Sequence, residues 1–122
     1  MKDALESLRK ALSHAKEFYG SEARNRTVAK LYFEIGEVLL SGKQADKAIE
    51  MMNKCLRIQR ELNCDKVAIC NTIFQIGEIH RSIDEYMEAT GCYNDILMTL
   101  GVQEDELESS IKTLQSGSKK LR

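Results

Sequence analysis

Two histidines, His14 and His80, and four cysteines, Cys55, Cys64, Cys70 and Cys92, are the residues best suited to acid–base, nucleophilic or metal chemistry in this 122-residue chain. Their spacing does not assemble a site. A zinc site needs ligands clustered as C-x2-C or H-x3-H, and neither pattern occurs. Cys64 and Cys70 stand six residues apart with no histidine near them in sequence. The cysteines also lack the look of a disulfide scaffold, so free thiols in a reducing compartment, the cytosol or the nucleus, are expected. His14 falls on the polar side of a helical pattern. A phosphate-cradling Gly-x4-Gly-Lys loop is absent, and Ser116-Gly117-Ser118-Lys119-Lys120 reads as a solvated tail. Catalysis needs such groups held in one convergent pocket. The sequence therefore points away from an enzyme, a metal centre or a bound cofactor.

Whatever the chain does, helices must position the residues that do it. Proline is absent, aromatic residues make up 6%, and helix-forming residues dominate. Apolar residues recur at helical spacing throughout. One stripe runs Leu5, Leu8, Ala11, Leu12, Ala15, Phe18 and stops at Gly20; a second runs Val28, Leu31, Tyr32, Ile35, Val38, Leu39 and stops at Gly42. A third holds Ala48, Ile49, Met52, Cys55, Leu56 and Leu62, and a fourth Val67, Ile69, Ile73, Ile76 and Ile79. Asp84 is the expected N-cap of a fifth, with Met87, Cys92, Tyr93, Ile96, Leu97 and Leu100, and a sixth helix is expected over about 103–115. The expected fold is all-α, with six helices joined by short turns into antiparallel hairpins.

Lys plus Arg (18) against Asp plus Glu (19) leaves a net charge of −1, which disfavours a nucleic-acid binder that depends on phosphate neutralisation. No apolar run reaches the length needed to span a bilayer, and Met1 to Glu6 lacks the apolar core of a secretory signal. No membrane role is expected.

The chain repeats itself. Phe33-Glu34-Ile35-Gly36-Glu37 returns as Phe74-Gln75-Ile76-Gly77-Glu78, 41 residues on, and the same offset carries Ala48 to Ala89 and Met52 to Tyr93. Weaker echoes lie upstream (Ala4, Leu8, Leu12, Phe18) and downstream (Leu114-Gln115-Ser116-Gly117). A glycine inside a helix costs about 1 kcal/mol relative to alanine. Gly36 and Gly77 therefore mark places where another helix must come close, with Ala48 and Ala89 as the small residues opposite and Tyr32 and Tyr93 among the large ones closing the gaps. The expected organisation is a half repeat over 1–20, repeat units over about 22–62 and 65–101, a terminal helix, and a polar tail over 116–122.

At Tyr32, Ile35-Gly36, Leu39, Ala48, Met52 and Cys55, and again at Ile73, Ile76-Gly77, Ala89 and Tyr93, the sequence resembles the tetratricopeptide repeat family. Its period of about forty residues is similar to the long repeats of Pins-type spindle-orientation scaffolds and kinesin light chains, although Ile-Gly-Glu stands where that subfamily usually has Leu-Gly-Asn. The resemblance implies a right-handed solenoid of helical hairpins that binds a protein or peptide and works as a scaffold or adaptor. It makes His80, at the family's aromatic position, a packing residue. A phosphorelay histidine is the rival reading, but a nearby Lys-Gly usually follows such a histidine, and Arg81-Ser82 follows this one. In such arrays the first helix of each hairpin lines a concave groove. The matching positions here are Lys30, Phe33, Glu34, Glu37 and Leu40, then Asn71, Phe74, Gln75, Glu78 and Arg81. Phe33 and Phe74 either anchor an apolar side chain of the partner or pack along neighbouring helices. The glutamates favour a basic or amphipathic peptide. Because the chain begins with a second-type helix and finishes with a first-type one, self-association through uncapped ends, or a place in a larger array, is the alternative.

Overall fold

The computed structural model describes residues 2–20 and 24–101. These form five α-helices: α1 (Lys2–Tyr19), α2 (Arg26–Ser41), α3 (Ala45–Glu61), α4 (Lys66–Ser82) and α5 (Tyr86–Thr99). Each packs on its neighbour in sequence, most extensively α2 on α3 and α4 on α5, as expected of stacked hairpins. The count is five rather than the expected six; the segment assigned to a sixth helix and the polar tail lie outside the described residues.

The helix ends follow from local chemistry. Asn25 caps α2, its side-chain oxygen accepting from the Val28 N–H at 2.9 Å, and Asp65 caps α4, accepting from the Val67 N–H at 3.2 Å. The turns after α2, α3 and α4 are built alike. Gln44 N–H donates to the Leu39 carbonyl, Cys64 N–H to Gln59 and Glu85 N–H to His80, each at 2.9 Å. Just inside them, Lys43, Asn63 and Asp84 donate to Leu40, Arg60 and Arg81. This paired pattern is a Schellman turn, and it needs a left-handed residue at its corner. Lys43 (φ 61°), Asn63 (φ 51°) and Asp84 (φ 63°) fill that position without glycine. The expectation that Asp84 caps α5 is thereby corrected. Its backbone closes the end of α4, and Glu85 takes the N-cap position with no side-chain capping bond.

Two buried clusters hold the helices together. Ile35, Leu39, Ala48, Met52, Leu56, Ile69, Ile73, Ile76 and Ile79 run from α2 to α4, while Ala15, Val28, Ala29, Tyr32, Cys55 and Ile58 join α1, α2 and α3. Several stripe residues lie outside both. Phe18 is 82% exposed, Val67 69% and Met87 85%, because each sits roughly 100° or more around its helix from the buried row. Ala11 is displaced in the same way and is exposed. Leu62 and Leu100 are C-cap residues and are also exposed.

The repeated glycines sit where the hairpins are tightest. A Cβ on Gly36 would lie 3.0 Å from Met52 Cε and 3.2 Å from the Ala48 carbonyl oxygen; one on Gly77 would lie 3.1 Å from Cys92 Cβ and 3.1 Å from the Tyr93 ring. Gly91, in α5, faces open space. Opposite effects follow. Gly36→Ala overfills its contact and destabilises by about 1–2 kcal/mol after the helix-propensity gain is subtracted, whereas Gly91→Ala stabilises by about 0.5–1 kcal/mol. Urea unfolding of the two variants checks both signs.

Candidate functional site

The first helices of the two hairpins, α2 and α4, carry the ten residues expected to line a groove. Between them lies a pocket of about 330 Å³. Lys30 and Phe33 enter it from α2 and Asn71 from α4, so three of the ten meet in one place. The sequence reading missed the other contributors, chiefly Arg26, Gln59, Asp65 and Thr72. Arg26 and Asp65 come from helix ends and Gln59 from α3, where a motif defined on the first helix carries no signal; Thr72 lies within α4 itself, next to Asn71.

Thr72 forms the floor, 1% exposed. Its hydroxyl donates to Gln59 Oε1 at 2.7 Å, and Cys55 Sγ lies 4.0 Å from the Thr72 hydroxyl oxygen. Burial pushes the Cys55 thiol up to about 11, partly offset by its contact with Thr72, with nearby Cys64 adding a smaller rise. The thiol stays protonated at neutral pH and can donate to Thr72, which donates onward to Gln59. This relay joins α3 to α4 beneath the pocket. Arg26 and Lys30 stand on one side of the opening and the Asp65 carboxylate on the other.

The remaining positions divide by their surroundings. Glu34 lies 4.0 Å from Lys30, and Glu37 is exposed with no ion-pair partner among the described residues. Leu40 packs against the larger core cluster, and Gln75 is half-buried. Glu78 is fully engaged: Tyr93 Oη donates to Oε1 at 2.6 Å and Arg81 to Oε2 at 2.9 Å. The tyrosine bond first, and then the guanidinium, hold the Glu78 carboxyl below its ordinary range. Glu78 and Arg81 thus neutralise each other, and the expected acidic character thins out along α4.

Phe33 and Phe74 occupy equivalent positions and differ. Phe33 is half-buried and packs against both core clusters, with α4 lying beyond it. Phe74 is 40% exposed, its ring centroid 6.2 Å from that of Tyr93. His80, half-buried, holds Glu85 Oε1 with Nδ1 at 2.8 Å across the α4–α5 turn. All four cysteines are free. Among the described residues no group of three His, Cys, Asp or Glu side chains could hold a metal, and no helix is long and apolar enough to cross a membrane.

Helical hairpins stacked in sequence around paired small residues define a helical-repeat protein. Residues 29–62, nearly the whole α2–α3 hairpin, match the family model of the tetratricopeptide repeat, so the chain carries a tetratricopeptide repeat there. No curated protein matches the chain.

The buried thiol has a measurable consequence. Its value rises from 9.0 to about 11 on folding, so the folded state holds this proton more tightly than the unfolded state. The stabilisation is complete below pH 9 and declines as pH climbs through 11, by about 2–3 kcal/mol in total. Cys55→Ala lacks this component, so unfolding free energies measured across that window converge with those of the parent by the same amount. A constant difference would mean that the thiol is not desolvated in the fold.

Proposed function

We propose that the chain is a protein-interaction module, a scaffold or adaptor, whose α2–α4 groove receives a peptide or short helix of a partner. The observation that carries this reading is the pocket where Lys30, Phe33 and Asn71 meet over the Thr72 floor. Proteins built of these repeats typically bind proteins or peptides and are typically not enzymes. The pocket offers what a peptide needs: an aromatic wall for an apolar side chain and amide groups on Gln59 and Asn71 for backbone hydrogen bonds. Arg26 and Lys30 facing Asp65 set up charges of both signs at the rim. An amphipathic partner suits this balance better than a purely basic one. Four free thiols support a reducing compartment, the cytosol or nucleus. The 41-residue offset from Gly36 to Gly77 supports the long-repeat type.

A second reading is a structural subunit that packs through its outer helices. It is favoured by Phe18 and Tyr19 on α1, and Met87 and Met98 on α5, all exposed large apolar side chains.

Capture from cell lysate with the parent chain beside a Lys30→Glu/Asn71→Ala variant of equal helicity tests the groove. A protein retained by the parent and lost from the variant is expected. Equal retention by both would remove the groove as the binding site, and a mass that rises with concentration would favour the structural subunit.

A further inference from the structure

A second groove lies on another side of α2. Tyr32, Ile35 and Leu39 are displaced by about 155° around the helix from Lys30 and Phe33, and they floor a cleft of about 280 Å³ between α1 and α3. Its walls are cationic, with Arg9 and Lys16 from α1 and Lys47 and Lys54 from α3. The lone carboxylate lining it is Glu50, 3.9 Å from Lys54. Among the described residues Arg9, Lys16 and Lys47 have no ion-pair partner. The ammonium groups of Lys16 and Lys54 lie 5.7 and 5.6 Å from the centroid of the Tyr32 ring. Attraction to the ring quadrupole holds them at the cleft without neutralising them.

We propose that this cleft docks an acidic segment of a partner protein, with an apolar side chain set between its carboxylates. Four cations against one carboxylate, in a chain whose net charge is −1, concentrate positive potential at this one cleft. Leu12 and Met51, half-buried lining residues beside the nearly covered Tyr32, Ile35 and Leu39, give an apolar side chain a surface to cover, and the cations on either wall stand where flanking carboxylates would reach. The cleft is of a size to take a few side chains. A nucleic-acid duplex or a bilayer presents a surface too broad to enter it, and neither would use the apolar floor. This site is separate from the α2–α4 groove, so one chain could hold two partner segments at once.

The test uses the full chain and a fluorescently labelled peptide of alternating glutamate and leucine, with binding read by anisotropy. Saturable binding is expected, weakening as salt rises towards about 0.15 M. Charge reversal in Arg9→Glu/Lys47→Glu, which leaves the Tyr32 contacts intact, is expected to lower affinity at least about tenfold. Circular dichroism confirms that the variant is folded, and Lys16→Gln/Lys54→Gln provides an independent second variant with the same expected direction. Asn71→Ala, in the other groove, is expected to bind the peptide like the parent. The proposal is overturned if the parent shows no saturable binding, if neither charge variant weakens it, or if a lysine–leucine peptide binds equally well. Tighter capture of a DNA duplex or phosphatidylserine vesicles by the same cations would overturn the assignment of the occupant.

Discussion

The architecture depends on how closely two helices of one hairpin can approach. At Gly36 the neighbouring Met52 side chain and Ala48 backbone already occupy the space in which a Cβ would seek ordinary contact, and Gly77 meets Cys92 and Tyr93 in the same way. Helix separation at a crossing is set by the side chains between the axes. Removing one Cβ therefore fixes the distance within the hairpin and, through it, how the large residues around the crossing interlock. Ile35, Met52 and Leu56 close the first hairpin, and the isoleucines of α4 extend the same cluster to the second. The stacking of hairpins, and hence the pocket between α2 and α4, is built on these two close contacts.

Much of this was legible in the sequence because it obeys a period. The five helices, the equivalence of Gly36 with Gly77 and of Ala48 with Ala89, and most buried positions follow from apolar spacing and the 41-residue offset. What escaped was set by context. Asp84 has the residue type of an N-cap, yet the closing turn of α4 claims its backbone first. Thr72 and Cys55 form a relay between helices that no single-helix pattern encodes. Phe18, Val67 and Met87 are apolar residues near a stripe but off its axis, and apolar residues do occur on surfaces. The candidate site was legible only in part. Lys30, Phe33 and Asn71 converge, whereas Arg26, Gln59 and Asp65 reach the pocket through tertiary placement.

Electrostatics separates the two sides of α2. Along the groove face, opposite charges meet within the chain, with Lys30 near Glu34, Arg81 on Glu78, and Tyr93 taking up the other Glu78 oxygen. Exposed pairs of this kind contribute little to stability. Their larger effect is to leave that face close to neutral. Between α1 and α3, Lys16 and Lys54 stand over the Tyr32 ring, and among the described residues Lys16 has no carboxylate partner while Lys54 also approaches Glu50. Arg60 joins α3 to α5 through Asp95 at 2.7 Å, an ion pair between hairpins that lines neither groove.

Phe33 and Phe74 are the same residue at the same repeat position, and only what lies beyond them differs. Phe33 packs against both core clusters and shares a pocket with residues of α4; Phe74 stands on the last hairpin of the described residues and shows much of its ring. Exposure at this position thus measures place in the series and not the chemistry of the side chain. Any element that comes to rest against α4, from this chain or another, would cover Phe74 in the same way. An aromatic ring kept at every copy can therefore serve growth of the array as readily as recognition, and the apolar surface at its growing edge is renewed with each hairpin added.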